Sequence, residues 1–228
     1  MHPRSKLGSS TMKKFCVIGA GNFGFNIART LYEDGHEVLV IDNNRSHIQQ
    51  VSDHCSVAMV ADAADKEFLA AQGLAEMDAV VVAIGERSHA ATLATLFLKE
   101  LGVKRLVVKS VNEDHGRILR KVGADEVVYP EKDMAIKTAR NLASPNILDM
   151  LTMAEGYSLN EIAPPAGFIG KTLIELDLRR KFGVYVLGIK DVLTDEFLLM
   201  PPPDRQIRDS DMLLIFGKAT DVDKASRC

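Results

Sequence analysis

A glycine-rich turn between an apolar strand and an amphipathic helix constrains this chain more than any other stretch. Phe15-Cys16-Val17-Ile18 is a continuous apolar run, and Gly19-Ala20-Gly21-Asn22-Phe23-Gly24 follows it directly. Such a run suits a strand buried on both faces, as in a parallel sheet. Gly19, Gly21 and Gly24 fit G-x-G-x-x-G. In that pattern the first glycine allows a tight turn, the second lets the backbone approach a pyrophosphate, and the third lets helix and strand pack closely. A helix starting there also aims N–H groups and a partial positive charge at an anion.

Phe23, Ile27 and Leu31, with Ala28 beside them, give the following helix one apolar stripe, and Gly35 ends it. His36 to Asp42 then reads as a second buried strand that finishes in a carboxylate. Asp42 stands 23 positions after Gly19, which suits an acid that accepts hydrogen bonds from a ribose diol and repels a 2′-phosphate.

Beyond Asp42, short apolar runs alternate with helical patterns to about residue 143, which predicts right-handed βαβ units and a doubly wound parallel sheet of Rossmann type. The expected elements are a helix over 46–53, a strand over 57–61, a helix at Phe68 and Leu69, and a strand over 79–85. A helix capped by Ser88 follows, with Leu93, Leu96, Phe97 and Leu101 facing inward. Next come a strand over 105–111, a helix lined by Ile118, Leu119 and Val122, and a strand over 126–129 that Pro130 breaks. The domain is expected to span 12–143.

Residues 144–157 read as a linker with a crossover helix from Ile147 to Ala154, started by Ser144-Pro145. The region 158–222 reads as a small α+β domain. It has expected strands at 158–163, 184–189, 197–200 and 212–216, and one helix through Leu173, Leu176 and Leu178. Residues 1–11 are polar and aperiodic and read as a vector-derived or disordered leader, with a native start at Met12.

The 228 residues are 46% apolar, enough for two buried cores, and the net charge of −3 gives no general attraction to nucleic acid. No apolar run reaches the roughly 18 to 20 residues of a membrane span, so the expected location is the cytoplasm. Cys16, Cys55 and Cys228 support neither a disulfide framework nor a zinc site. All six histidines precede the linker, and none sits in a metal-ligand pattern. Gly170-Lys171-Thr172 lacks the upstream glycine of a phosphate loop, since Pro165 stands in its place. A nucleotide site without an evident catalyst leaves two readings: a ligand-sensing subunit, or a NAD-dependent oxidoreductase with a small substrate.

The glycine turn, Asp62-Ala63-Ala64-Asp65, Tyr129-Pro130-Glu131-Lys132-Asp133-Met134, Ile169-Gly170-Lys171-Thr172-Leu173 and Gly183-Val184 together carry a family resemblance. Over nearly all of 12–218 the chain resembles the regulator-of-potassium-conductance (RCK or KTN) family, in particular the free-standing regulatory subunits of bacterial Ktr and Trk potassium transporters. The resemblance implies a TrkA-N domain that binds ATP, ADP or NAD(H), followed by a TrkA-C domain. It implies homodimers assembled into an octameric ring, cytoplasmic and held at the membrane by an integral potassium transporter subunit, with a gating rather than an enzymatic role. Gly19, Ala20, Gly21, Asn22, Phe23 and Gly24 match the phosphate turn, and Asp42, with Asn43 beside it, the ribose-binding acid. Asp62 and Ala63 match a loop flanking the adenine, although Asp62 also reads as a helix cap. Ala83, Ile84 and Gly85 match the backbone edge beside the ligand. Lys109 matches a phosphate-facing lysine or is simply solvated. Glu131 matches an acid that helps hold Mg2+ or another divalent cation, or is a favourable first-turn acid. Where close Ktr relatives carry Arg, this chain has Asn22, which cannot neutralise a terminal phosphate; ATP, ADP and NAD(H) therefore all stay open as ligands.

Overall fold

The computed structural model describes residues 11–85, 87–143, 147–154 and 156–228, which fall into two compact units, one through Lys132 and one from Asp133 to Cys228. Residues 1–10 of the expected 1–11 leader, and the Ser144-Pro145 helix start, lie outside the described residues.

In the first unit, strands β1 (Lys14–Ile18), β2 (Glu37–Asp42), β3 (Val57–Val60), β4 (Ala79–Val82), β5 (Leu106–Lys109) and β6 (Glu126–Val128) form one sheet in the order β3-β2-β1-β4-β5-β6. Every pairing is parallel. The side-chain period of two explains the uninterrupted apolar runs. Cys16, Ile18, Val80 and Val82 enter one core cluster, while Val17 and Val81 enter another. The first cluster packs under helix α4 (Ser88–Glu100) through Ala91, Ala94 and Leu98, and the second under α1 (Asn22–Glu33) and α2 (Arg45–Val51) through Ala28, Ile48 and Val51. Strand order reverses between β1 and β4, and this is where a doubly wound sheet opens a crevice at its carboxyl edge.

Three expectations for this unit need correction. Ser88 does not cap α4; Arg87 holds the cap position and no side chain bonds there. The inward face of α4 is Ala90, Ala91, Ala94, Thr95 and Leu98, with Leu96 exposed and Leu93 half-buried. Helix and sheet approach through small residues and Leu98, while Phe97 and Leu101, expected inward, do pack against this core, though only partly buried. Helix α5 (Glu113–Val122) likewise buries His115, Gly116 and Leu119 while Ile118 is exposed. Its ends are well specified. Asn112 caps the start, Glu113 and Asp114 face the dipole, and Gly123 closes the end in the left-handed region.

Pro130 ends the β6 run and opens helix α6 (Pro130–Ala143), where its fixed φ and missing N–H cost nothing. In the second unit, β7 (Ile147–Ala154), β8 (Tyr157–Ile162), β9 (Tyr185–Asp191), β10 (Phe197–Leu199) and β11 (Asp211–Lys218) form an antiparallel sheet ordered β10-β9-β11-β8-β7. The expected crossover helix over Ile147–Ala154 is therefore a strand. Its pairing with β8 across a turn carrying Gly156, φ +76°, overrides a spacing that also fits a helix. The expected helix through Leu173, Leu176 and Leu178 is two, α7 (Leu173–Leu176) and α8 (Leu178–Phe182), parted by Asp177 at φ +42°. A last helix, α9 (Ala219–Ala225), buries Val222 and Ala225 against this sheet's core and runs beyond the expected end at residue 222.

Candidate functional site

The turn after β1 is laced to both neighbouring strands. Gly19 N–H donates to the Ile41 carbonyl at 2.7 Å, and Ala83 N–H donates to the Ile18 carbonyl at 2.7 Å. Two of the glycines are there for space. Gly19 has φ +97°, and a Cβ on it would stand 2.9 Å from the Ala83 carbonyl carbon; one on Gly24 would stand 1.8 Å from the Gly19 carbonyl oxygen. Gly21 differs, because a Cβ there meets nothing within 4 Å. The protein leaves that flank open, which is what the close approach of a pyrophosphate requires.

Helix α1 begins at this opening without a cap. Gly21 holds the cap position, no side chain bonds there, and the first turn has no acid. Side chains of Asn44, Asp65 and Asn112 cap α2, α3 (Lys66–Ala70) and α5. Of these first five helices, only α1 and α4 lack a side-chain cap, and they follow β1 and β4, the strands that flank the reversal. Their first-turn N–H groups and partial positive charge are thus left for an anion.

On the β2 side, Asp42 has three polar partners. Its Oδ2 accepts from Ala20 N–H at 2.6 Å and lies 3.3 Å from His47 Nδ1, and its Oδ1 accepts from Asn44 N–H at 2.7 Å. The carboxylate is only 10% exposed. Ala20 and Asp42 thus join the glycine turn to the end of β2, and Asn43 beside them is exposed.

On the β4–β5 side, Lys109 ends β5 and is 12% exposed, while Glu131, in the first turn of α6, is 69% exposed. Their Nζ and Oε1 are 2.5 Å apart. Lys109 Nζ also lies 5.9 Å from the Phe23 ring centroid, and a Cβ on Gly85 would stand 3.7 Å from it. Phe23, Gly85, Lys109 and Glu131 therefore share one corner. Hydrogen bonding from Lys109, helped by the Glu131 backbone N–H and the lysine's charge, holds the Glu131 carboxyl below its ordinary range. Glu131 is the acid here that could hold a divalent cation, and among the described residues no three His, Cys, Asp or Glu side chains stand together as a metal site. A cation at Glu131 would draw most of its ligands from phosphate and water, as Mg2+ commonly does.

Asp62 and Ala63 follow β3, beside the end of β2, where Ala61 N–H donates to the Asp42 carbonyl at 3.0 Å. Asp62 Oδ1 accepts from Ala64 N–H, and its Oδ2 is 3.5 Å from Arg87 Nη1. Asp65, not Asp62, caps α3, and Ala63 is buried in the core. Asn22 is exposed, and its carbonyl accepts from Asn26. Nothing in the sequence pattern assigns His47 a role beyond its lying outside any metal-ligand pattern. The available signal was Asn44, since a cap there puts residue 47 in the first turn of α2, above the end of β2.

A parallel sheet in this order, with a fixed strand-end acid and an uncapped helix behind three glycines, defines a dinucleotide-type fold. Residues 15–130 match the TrkA-N domain and 161–227 the TrkA-C domain. The chain belongs to this TrkA-N/TrkA-C family. It is 40% identical over 212 residues to the Ktr system potassium uptake protein C of Bacillus subtilis, covering 93% of this chain and 95% of that one. It is 36% identical over 216 residues to the Ktr system potassium uptake protein A of the same organism, covering 95% and 96%. The GsuK RCK domain superposes with a TM-score of 0.65 at 18% identity over 99% of this chain, and this chain spans about half of it, 49%. Among the described residues no helix is long and apolar enough to cross a membrane.

Proposed function

We propose that the chain is the nucleotide-binding gating subunit of a potassium uptake system. The observation that carries this is the opening at Gly21, where an uncapped helix start faces free space beside a fixed strand-end carboxylate. An adenine nucleotide fits it by chemistry: ribose at Asp42, phosphates over Gly19 to Gly24, and the far phosphate or nicotinamide half toward Lys109. ATP, ADP and NAD(H) are the ligands of this reading. Glu131 and the ligand's phosphates would hold any divalent cation. The whole-length relatives named above are potassium uptake proteins, which favours gating over the oxidoreductase alternative.

In this account the chain lies in the cytoplasm as homodimers within an octameric ring, docked on an integral membrane potassium transporter. A ligand shifts a conformational equilibrium only through unequal affinity for its states. Lys109 and Glu131 are the groups placed to tell two nucleotides apart, so their contacts differ between ring states. Reciprocity then requires transporter binding to change nucleotide affinity by the same factor. The test is small-angle scattering of the isolated oligomer with each nucleotide, paired with potassium flux through the reconstituted complex. Two nucleotides are expected to give two ring shapes and two fluxes. Saturating ligands that leave both unchanged would reject gating.

A further inference from the structure

The ribose end contains a group that neither the glycine motif nor the family match assigns. His47 projects from the first turn of α2 with Nδ1 3.3 Å from Asp42 Oδ2. A carboxylate at this distance is paired by the tautomer that carries its proton on Nδ1, the one that can donate to it. The carboxylate then has a countable set of partners. It offers roughly four lone-pair positions. Ala20 N–H and His47 Nδ1–H fill both on Oδ2, while Asn44 N–H fills one on Oδ1. By this count one position on Oδ1 is left without a protein partner. A ribose diol has two hydroxyls, and a strand-end acid with both oxygens free would take both.

We infer that His47 is a positioning residue that saturates Asp42 Oδ2, so that Asp42 reads a single ribose hydroxyl. The inference rests on the nucleotide reading of the site. Two of the three partners of Asp42 are backbone N–H groups and cannot be removed by substitution of a side chain. His47 is the removable one, and at 38% exposure it is open enough to change without emptying the core. Its loss frees one lone pair on Oδ2 while Ala20 and Asn44 still hold the carboxylate. The site should then accept the second hydroxyl as well. A residue serving only the stability of α2 would leave the reading of the two hydroxyls as it was.

The experiment is isothermal titration of the full chain with ADP, 2′-deoxy-ADP and 3′-deoxy-ADP, for wild type, His47→Ala and His47→Asn. In wild type, one deoxy analogue should bind about tenfold more weakly than ADP and the other within about threefold, since a hydrogen bond to a charged group is worth roughly that factor or more. In His47→Ala both analogues should fall at least about fivefold below ADP. His47→Asn, which keeps a side-chain N–H near the Nδ1 position, should return the wild-type pattern. Equal penalties for both analogues in wild type, or the wild-type pattern retained in His47→Ala, would overturn the role of His47. Failure of wild type to bind ADP would instead reject the adenine-nucleotide reading, and this inference with it.

Discussion

The two ends of the site are built in opposite ways. At the ribose end, Asp42 is nearly buried, bonded by two backbone N–H groups and a histidine, and set against a turn whose glycines admit no Cβ at Gly19 or Gly24. At the phosphate end, Lys109 is mostly buried but its partner Glu131 is largely exposed, on a surface helix. The first arrangement is preorganised, and under the proposed function it would answer every nucleotide alike. The second can exchange its partner, because a phosphate competes with Glu131 for the same ammonium. On the proposed reading, binding and discrimination fall to different strands of one sheet.

The largest effect that could break this comparison comes from the rigid end. Gly24→Ala places a Cβ 1.8 Å from a backbone oxygen, so β1 and α1 must separate. The expected loss exceeds about 3 kcal/mol in denaturant unfolding, beyond ordinary overpacking. A stable Gly24→Ala protein would mean the corner is not rigid. Asp42→Ala comes next, with about 10- to 100-fold weaker binding in calorimetry for every adenine nucleotide with an intact ribose. Its defining property is indifference to the phosphate count.

Lys109→Gln should do the reverse. Total affinity changes modestly, while the ratio of ATP to ADP affinity in competition titrations shifts by about fivefold. An unchanged ratio would move discrimination away from this corner. The smallest effect is in pH. The Glu131 carboxyl is held below its ordinary 4.5 in the native protein, so its pairing stabilises the fold above that value and is lost as pH falls through the lower native one. Because Glu131 is exposed, the wild type and Glu131→Gln should differ by less than about 0.5 kcal/mol at neutral pH and converge in acid.

The rigid end was also the legible one. Cys16 to Gly24 and Asp42 could be placed from spacing because a strand buried on both faces and a glycine-forced turn leave few alternative readings. Lys109 and Glu131 came from family likeness, since a strand-end lysine and a first-turn acid are ordinary on local grounds. His47 was not legible as a partner of Asp42, because the contact depends on where Asn44 starts α2. The strand β7 was misread for a different reason. Ile147, Leu148 and Leu151 satisfy helical spacing, and only pairing with β8 decides between the two. In α4, Ala91 and Ala94 meet the sheet together with Leu98, and a search for bulky apolar stripes passes over the alanines.

The most direct test of a nucleotide site at this turn is Gly21, where a side chain would occupy the open flank beside Asp42 and the start of α1. Thermal unfolding of wild type and Gly21→Val should be compared side by side, with and without ADP. Unliganded Gly21→Val should stay folded, because a Cβ at Gly21 meets nothing within 4 Å, with its midpoint lowered only by the poorer start that valine gives α1. With ADP at about a hundred times its dissociation constant, wild type should gain about 2.7 kcal/mol, seen as a raised midpoint, and Gly21→Val nothing. An equal rise in both proteins, or none in either, would contradict a nucleotide site at this turn.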